Sequence, residues 1–142
     1  MPSFTARVPN LQIGPVVEVQ ITIGPIVREI LLGKGQPVPE PVTALAMIDT
    51  GATKTVIGKS IAAGLNLKPV GTSRIDTSSE RGVACYNYLV SLVFPDDLVI
   101  KEMVVIGAPL LGQHISCLIG RDVLAGAVFI YTGHANSFTL SF

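Results

Sequence analysis

Residues 46–52 read AMIDTGA and are the most informative segment of the chain. It follows a nearly continuous apolar run from Val42, and such a run predicts a strand buried on both faces. The run ends in a carboxylate, Asp49, and Thr-Gly then turns the chain. On its own, Asp-Thr-Gly also suits an ordinary turn. An ionisable group at the end of a buried strand is costly unless it is paired or used, so Asp49 is the first candidate for chemistry.

A second informative segment, CLIGRDVL, occupies residues 117–124, about seventy residues further along the chain. It combines apolar residues with Gly120, Arg121 and Asp122 at the start of a short helix-like stretch. Asp122 also suits the first turn of a helix, where the helix dipole favours negative charge. A structural role and a role beside a reactive site are both open for this segment.

The rest of the chain has the pattern of β-structure. Residues 16–23 alternate strictly, which predicts a strand with Val17, Val19, Ile21 and Ile23 on one face. Gly24-Pro25 predicts a turn and Ile26–Leu32 the return strand. Residues 58–66 have the one good helical pattern. Further strands are predicted at about 70–77, 83–94, 98–106 and 138–142. Many short strands with one or two helices predict an all-β barrel or sandwich.

Composition excludes several classes of function. The 142 residues suit one domain, and 49% apolar against 14% charged residues suggests a further buried face, such as a subunit interface. The net charge of zero, without a basic run, argues against nucleic acid. No apolar stretch approaches the ~18–20 residues that cross a bilayer, and no secretory signal is visible. Two cysteines favour a reduced, cytoplasmic setting.

The two segments together resemble the retropepsin-like aspartic proteases. The shared pattern is apolar-apolar-Asp-Thr-Gly-Ala, followed later by apolar-apolar-Gly-Arg and an acid or amide, and the resemblance spans residues 15–142. It implies an all-β, closed, barrel-like retropepsin fold with one or two short helices. The single domain would then run from 1 to 142, with an N-terminal extension at 1–14, a surface loop at 33–41 and a flap hairpin at about 74–88.

The resemblance also implies one catalytic Asp in each chain, whereas this chemistry uses two carboxylates around one water. A second Asp-Thr-Gly is missing: residues 76–78 read DTS and residues 131–133 read YTG. The dyad is therefore expected from the Asp49 residues of two chains across a two-fold axis. The expected partners are a second copy of the chain and a peptide or protein bound in extended form, without a cofactor or a metal.

The roles that the resemblance implies fall into three groups. The catalytic group is Asp49, Thr50 and Gly51, with Thr50 bonding across the axis and Gly51 letting the substrate backbone approach. The substrate-binding group is Ala52, Thr53, Ser78, Ser79 and Gly82, the last three on the flap. The structural group is Gly120, Arg121 and Asp122.

Two features depart from the retroviral pattern. Retroviral members have an Asp two positions after the motif's Gly, where it pairs with the Arg of Gly-Arg, but this chain has Thr53. Arg121 therefore needs another partner, either Asp122 or a backbone carbonyl. The flap tip carries Glu80 and Arg81 with a single Gly. These departures favour a cellular, bacterial-type member of the family.

Other readings remain. Gly58-Lys59-Ser60 resembles the end of a phosphate-binding loop, but the Gly required five positions earlier is Thr53. A hydrolase triad could be assembled from Ser116, either His114 or His134, and Asp122. No nucleophile-elbow motif accompanies these residues, which argues against such a triad. The remaining alternative is a catalytically silent retropepsin fold used as a dimerisation or peptide-binding module.

Overall fold

The structure is a computed structural model, and it describes residues 1–110 and 114–142. Its helices and strands follow in chain order: β1 Ser3–Arg7, β2 Val16–Ile23, α1 Pro25–Gly33, β3 Val42–Ile48, β4 Val56–Gly58, α2 Lys59–Gly64, β5 Gly71–Ile75, β6 Val83–Phe94, β7 Leu98–Ala108, β8 Cys117–Ile119, α3 Arg121–Leu124, β9 Val128–Thr132 and β10 Ser137–Ser141. Single 3₁₀ turns lie at Pro95–Asp97 and Gly133–Ala135.

The larger sheet closes into a barrel. Its seven strands follow the order β2-β3-β8-β4-β7-β6-β5, and β2 pairs with β6 as well, so six strands form a closed ring with β5 outside it. The β3–β8 and β4–β7 pairs are parallel, and the others are antiparallel. The predicted all-β closed barrel is confirmed, although the described part of the chain has three short α-helices rather than one or two.

The alternation of β2 predicted its burial correctly. Val17, Val19, Ile21 and Ile23 all point into the main core, while Glu18 and Gln20 between them are exposed. Each side chain of a strand faces opposite to the next, so this pattern places one face against the barrel interior. The last strand behaves the same way, because Phe138 and Leu140 are fully buried.

A second, three-stranded sheet has the order β1-β10-β9 and joins the two ends of the chain. Ser3 pairs with Ser141, and Arg7 pairs with Ser137. Phe4 is buried here and stacks on Phe94 with the ring centroids 5.8 Å apart. The segment expected as an N-terminal extension therefore contains a strand that helps to cover the core, and the sequence pattern had indicated neither β1 nor β9.

The predicted return strand at Ile26–Leu32 is wrong, because this segment forms helix α1. Pro25 occupies the first helical position, where its fixed φ suits a helix and its missing N–H costs nothing. Leu31 packs against the core, whereas Ile26, Ile30 and Leu32 stay at least half exposed. The apolar residues of this segment therefore could not indicate which structure it forms. Residues 36–41 continue as irregular chain to β3.

Cys117 lies in the main hydrophobic core and is not a nucleophile. It is fully buried on β8, and burial, followed by the nearby Asp122 charge, raises the pKa of its thiol to about 12. The thiolate is the reactive form of cysteine, so this residue stays protonated and inert at neutral pH. Cys85 is buried as well, and both cysteines are free.

Candidate active site

Asp49 follows the last residue of β3 and stands at the mouth of a tight turn. Its backbone N–H donates to the Ile119 carbonyl at 2.9 Å, which fixes it to the end of β8. The turn closes on the Asp49 side chain, because the Gly51 N–H donates to Oδ1 at 2.9 Å. The Ala52 N–H also donates to the Asp49 carbonyl at 3.1 Å. The sequence thus holds a half-buried carboxylate in one orientation at the end of a buried strand.

The turn itself is open to solvent. Thr50 and Gly51 are exposed, as is Thr53, while Ala52 is half-buried. A Cβ on Gly51 would lie 3.1 Å from Asp49 Oδ1, which is tighter than most real contacts. A glycine at this position therefore keeps the space next to the carboxylate free.

Arg121 stabilises the Asp49 turn with three hydrogen bonds. Its backbone N–H donates to the Ala52 carbonyl at 2.8 Å. Its guanidinium donates to the Thr50 carbonyl at 2.8 Å and to Thr53 Oγ1 at 3.1 Å. The sequence left two partners open for Arg121, Asp122 or a backbone carbonyl, and in the structure its guanidinium binds a backbone carbonyl. It also binds the hydroxyl of Thr53, at the position where a retroviral chain has a carboxylate. One side chain therefore holds both ends of the turn.

Asp122 serves a different partner, the fully buried Thr55. Thr55 Oγ1 donates to Asp122 Oδ1 at 2.7 Å, and the Thr55 N–H donates to Oδ2 at 3.0 Å. The Val123 N–H donates to Oδ1 as well, at 2.9 Å. Both oxygens of Asp122 are therefore occupied. Through them Asp122 connects Thr55, which follows the Asp49 turn, to the start of α3.

Gly120 is required by the closeness of two backbones. A Cβ at this position would lie 2.5 Å from the Lys54 carbonyl carbon and 2.6 Å from its oxygen, a distance that real side chains do not reach. Its N–H donates to Thr55 Oγ1 at 3.1 Å. The Gly-Arg-Asp segment is thus a support in which each of the three residues makes a different contact with residues 50–55.

The tip of the β5–β6 hairpin is ordered by its own hydrogen bonds. The Gly82 N–H donates to Asp76 Oδ1 at 2.9 Å, and the Thr77 N–H donates to the Glu80 carbonyl at 2.7 Å. Gly82 has a φ of +65°, a conformation that favours glycine. Ser78 and Ser79 are exposed at the tip. Among the described residues, none of the hydrogen bonds joins this tip to residues 49–53.

A small apolar cluster joins the β5–β6 hairpin to strands β4, β7 and β8, and no sequence pattern predicted it. It is separate from the main core, and four of its members are buried while four are half-buried: Val56, Cys85, Ile106, Ala108, Ile75, Val83, Leu110 and Leu118. Leu118 pairs with Met47 in β3 and with Val56 in β4, so the cluster begins beside the strand that leads into Asp49. Its members come from several separate segments, so no local pattern in the sequence announces it.

Comparison with known proteins identifies the family. The model of the aspartyl protease family matches residues 34–123, well over half of the chain, and this range includes Asp49 and Gly120, Arg121 and Asp122. This chain belongs to the aspartyl protease family. No curated protein matches it.

Two solved structures show the same fold. A retropepsin-like aspartic protease from Rickettsia conorii superposes with a TM-score of 0.59 at 15% identity, covering 99% of this chain and 91% of that one. The EIAV protease complexed with the inhibitor HBY-793 superposes with a TM-score of 0.51 at 20% identity, covering 86% and 97%. The resemblance to the retropepsin-like family is thereby confirmed, and so is the fold that it implied.

Other chemistries find little support in the described structure. Within residues 1–110 and 114–142, no group of three His, Cys, Asp or Glu side chains could hold a metal ion. His114 and His134 are exposed, and both oxygens of Asp122 already accept hydrogen bonds from Thr55. None of the helices in the same ranges combines the length and apolar character needed to cross a bilayer.

Proposed function

We propose that this chain is an aspartic endopeptidase that works as a homodimer, with one Asp49 from each subunit forming the catalytic pair. The observation that carries the proposal is the geometry of Asp49: a half-buried carboxylate held by the Gly51 amide in a solvent-open turn. The chain supplies one such Asp-Thr-Gly turn, its family is that of the aspartyl proteases, and aspartic protease chemistry uses two carboxylates. The second must come from another copy.

In the proposed reaction one Asp49 carboxylate accepts a proton from the water between the two. The oxygen of that water attacks the scissile carbonyl carbon, while the other, protonated Asp49 donates to the carbonyl oxygen. The tetrahedral intermediate then breaks its C–N bond as the amine nitrogen takes the proton that the first Asp49 accepted from water, and a hydroxyl of the intermediate returns a proton to the other Asp49. Two carboxylates in contact cannot both ionise, so the pair shares one proton, a behaviour already well known in aspartic proteases. Activity should therefore be highest at acid pH.

Residues around Asp49 would position the reacting groups. Arg121 and the Thr55–Asp122 contacts keep residues 50–55 fixed, so that the carboxylate needs little rearrangement when substrate binds. Gly51 leaves room for a substrate backbone beside Oδ1, since a Cβ there would already lie 3.1 Å away. Thr50 is exposed and free to bond across the two-fold axis.

The substrate would lie as an extended strand between the turn and the β5–β6 hairpin. Ala52 and Thr53 line the floor in this proposal, and Ser78, Ser79 and Gly82 lie on the hairpin that acts as the flap. The half-buried members of the apolar cluster, such as Leu118 and Val83, would receive an apolar side chain of the substrate. The two free, buried cysteines suit the cytoplasm as the location.

The test compares wild type with Asp49→Asn on a denatured protein substrate across about pH 3–7, the range in which carboxylates titrate. We expect cleavage by wild type to rise towards acid pH, and the variant to lose at least about a thousandfold, because it lacks the general base. Asp97→Asn is the matched control, since Asp97 is an exposed carboxylate in the turn between β6 and β7. It should cleave like wild type.

Equal activity of wild type and Asp49→Asn would contradict the proposal. A wild type that forms a firm dimer and binds peptides without cleaving them would instead support the silent binding module. A second test measures cleavage by wild type in the presence of pepstatin, which inhibits many aspartic proteases. Inhibition would assign the reaction to this mechanistic class.

A further inference from the structure

The loop Asn10–Gly14 presents the most exposed large apolar side chain of the described chain. Leu11 is 90% exposed and Ile13 is 41% exposed. The loop joins β1, in the terminal sheet, to β2, in the barrel. Single exposed apolar residues are common, so exposure alone assigns nothing to this loop. The position and the fixed conformation of the loop are the observations that indicate a role for it.

The loop lies directly beside the Asp49 turn. Pro15, the next residue, accepts a hydrogen bond at 2.9 Å from the N–H of Ile48, the residue before Asp49. Val16 then pairs with Met47 in β3. Since the Gly14 N–H donates back to the Asn10 carbonyl at 3.0 Å, the five loop residues form a single turn, and none of them lies far from Pro15.

The loop is also held in one conformation. Asn10 Oδ1 accepts from the N–H groups of Gln12 and Ile13 at 3.0 and 2.9 Å. Gly14 has a φ of +76°, which favours glycine. An apolar side chain on a preformed loop loses little further freedom when a partner covers it, so such a residue can contribute to binding.

The proposed function fixes where a partner must be. Two Asp49 carboxylates that share one water lie within about 3 Å of it, so the two-fold axis passes next to Asp49. Exposed groups beside the Asp49 turn on its open side therefore lie close to the second copy. The contact is isologous, which means that each loop residue occurs twice in the interface.

We infer that the Asn10–Gly14 loop packs against a second copy of this chain, with Leu11 as its apolar anchor. The inference rests on the proposed homodimer and goes beyond the catalytic pair, because it assigns a contact that holds the two Asp49 turns together. It names a surface that the composition had suggested without locating, since the chain has more apolar residues than its own core buries.

The test measures the dimer dissociation constant by sedimentation for wild type, Leu11→Gln and Leu32→Gln. Leu32 is the matched control, because it is 60% exposed at the end of α1, which starts from the end of β2 opposite to Pro15. We expect Leu11→Gln to raise the dissociation constant at least about tenfold, because each dimer loses two anchors. Leu32→Gln should stay within about twofold of wild type.

Loss of activity in Leu11→Gln that recovers as protein concentration rises would add support, because only a dimer defect behaves in this way. An unchanged dissociation constant would overturn the inference, and an accompanying rise in KM would assign Leu11 to substrate binding instead. Equal weakening by Leu11→Gln and Leu32→Gln would overturn it as well. A Leu11-dependent dimer that cleaves nothing would sink the proposed protease activity and leave this contact standing.

Discussion

Thr55 is the central residue of the hydrogen bonds that stabilise the Asp49 turn. It is fully buried, and its hydroxyl donates to Asp122 while accepting from the Gly120 N–H. Thr55→Val keeps the shape but removes one donor to Asp122 and leaves the buried Gly120 N–H unpaired, so we expect the free energy of unfolding to fall by about 1–3 kcal/mol. Urea denaturation measures the change. Thr55→Ser retains the hydroxyl and should lose less, and equal losses in both variants would contradict the role assigned to the hydroxyl.

The residues of the site were predictable to different degrees. Asp49 and Arg121 could be found because their motifs are local, each carried by a few consecutive residues. The acceptors of Arg121 could not be chosen from the sequence, because Asp122 next to it offered an equally plausible charge. The structure resolves the choice through Thr55, whose hydroxyl and N–H engage the Asp122 oxygens from 67 residues away in the chain.

At the level of elements, the proposed function makes the β5–β6 hairpin the part that moves over a substrate. Asp76→Ala removes the acceptor for the Gly82 N–H and loosens the tip. We expect amide hydrogen exchange in residues 77–82 to rise by about fivefold, the effect of losing roughly one hydrogen bond. Ser78→Ala is the control, because Ser78 is an exposed residue of the same tip. Unchanged exchange in Asp76→Ala would show that other contacts order the tip.

Elements were predicted well where burial alternates and poorly where it does not. β2 and β10 have one buried face, so their sequence alternates and the strands were found. α1 exposes most of its apolar residues, and Gly24-Pro25 at its start is as typical of a turn as of a helix beginning. β1 depends on β10, more than 130 residues away, and no local signal records such a pairing.

At the level of the whole molecule, the proposed shared site predicts that an inactive subunit also inactivates the wild-type subunit with which it pairs. A ninefold excess of Asp49→Asn over wild type, mixed long enough for subunits to exchange, leaves about a tenth of the wild-type subunits with an intact partner. We therefore expect cleavage to fall to about a tenth of that of wild type alone. Asp97→Asn in the same excess is the control and should add activity. Undiminished cleavage with Asp49→Asn would mean that one carboxylate is enough.

The terminal sheet has a consequence for how the protein is made. Among the described residues, β1 pairs with β10 alone, and the Phe142 N–H donates to the Pro2 carbonyl at 3.0 Å. Phe138 and Leu140, both fully buried, also complete the core from this end. During synthesis β1 therefore stays unpaired until β10 has left the ribosome. Such long-range pairing is slow to form. A chain whose synthesis stalls before residue 137 would lack both β10 and these two core side chains, so a nascent chain is not yet a working subunit.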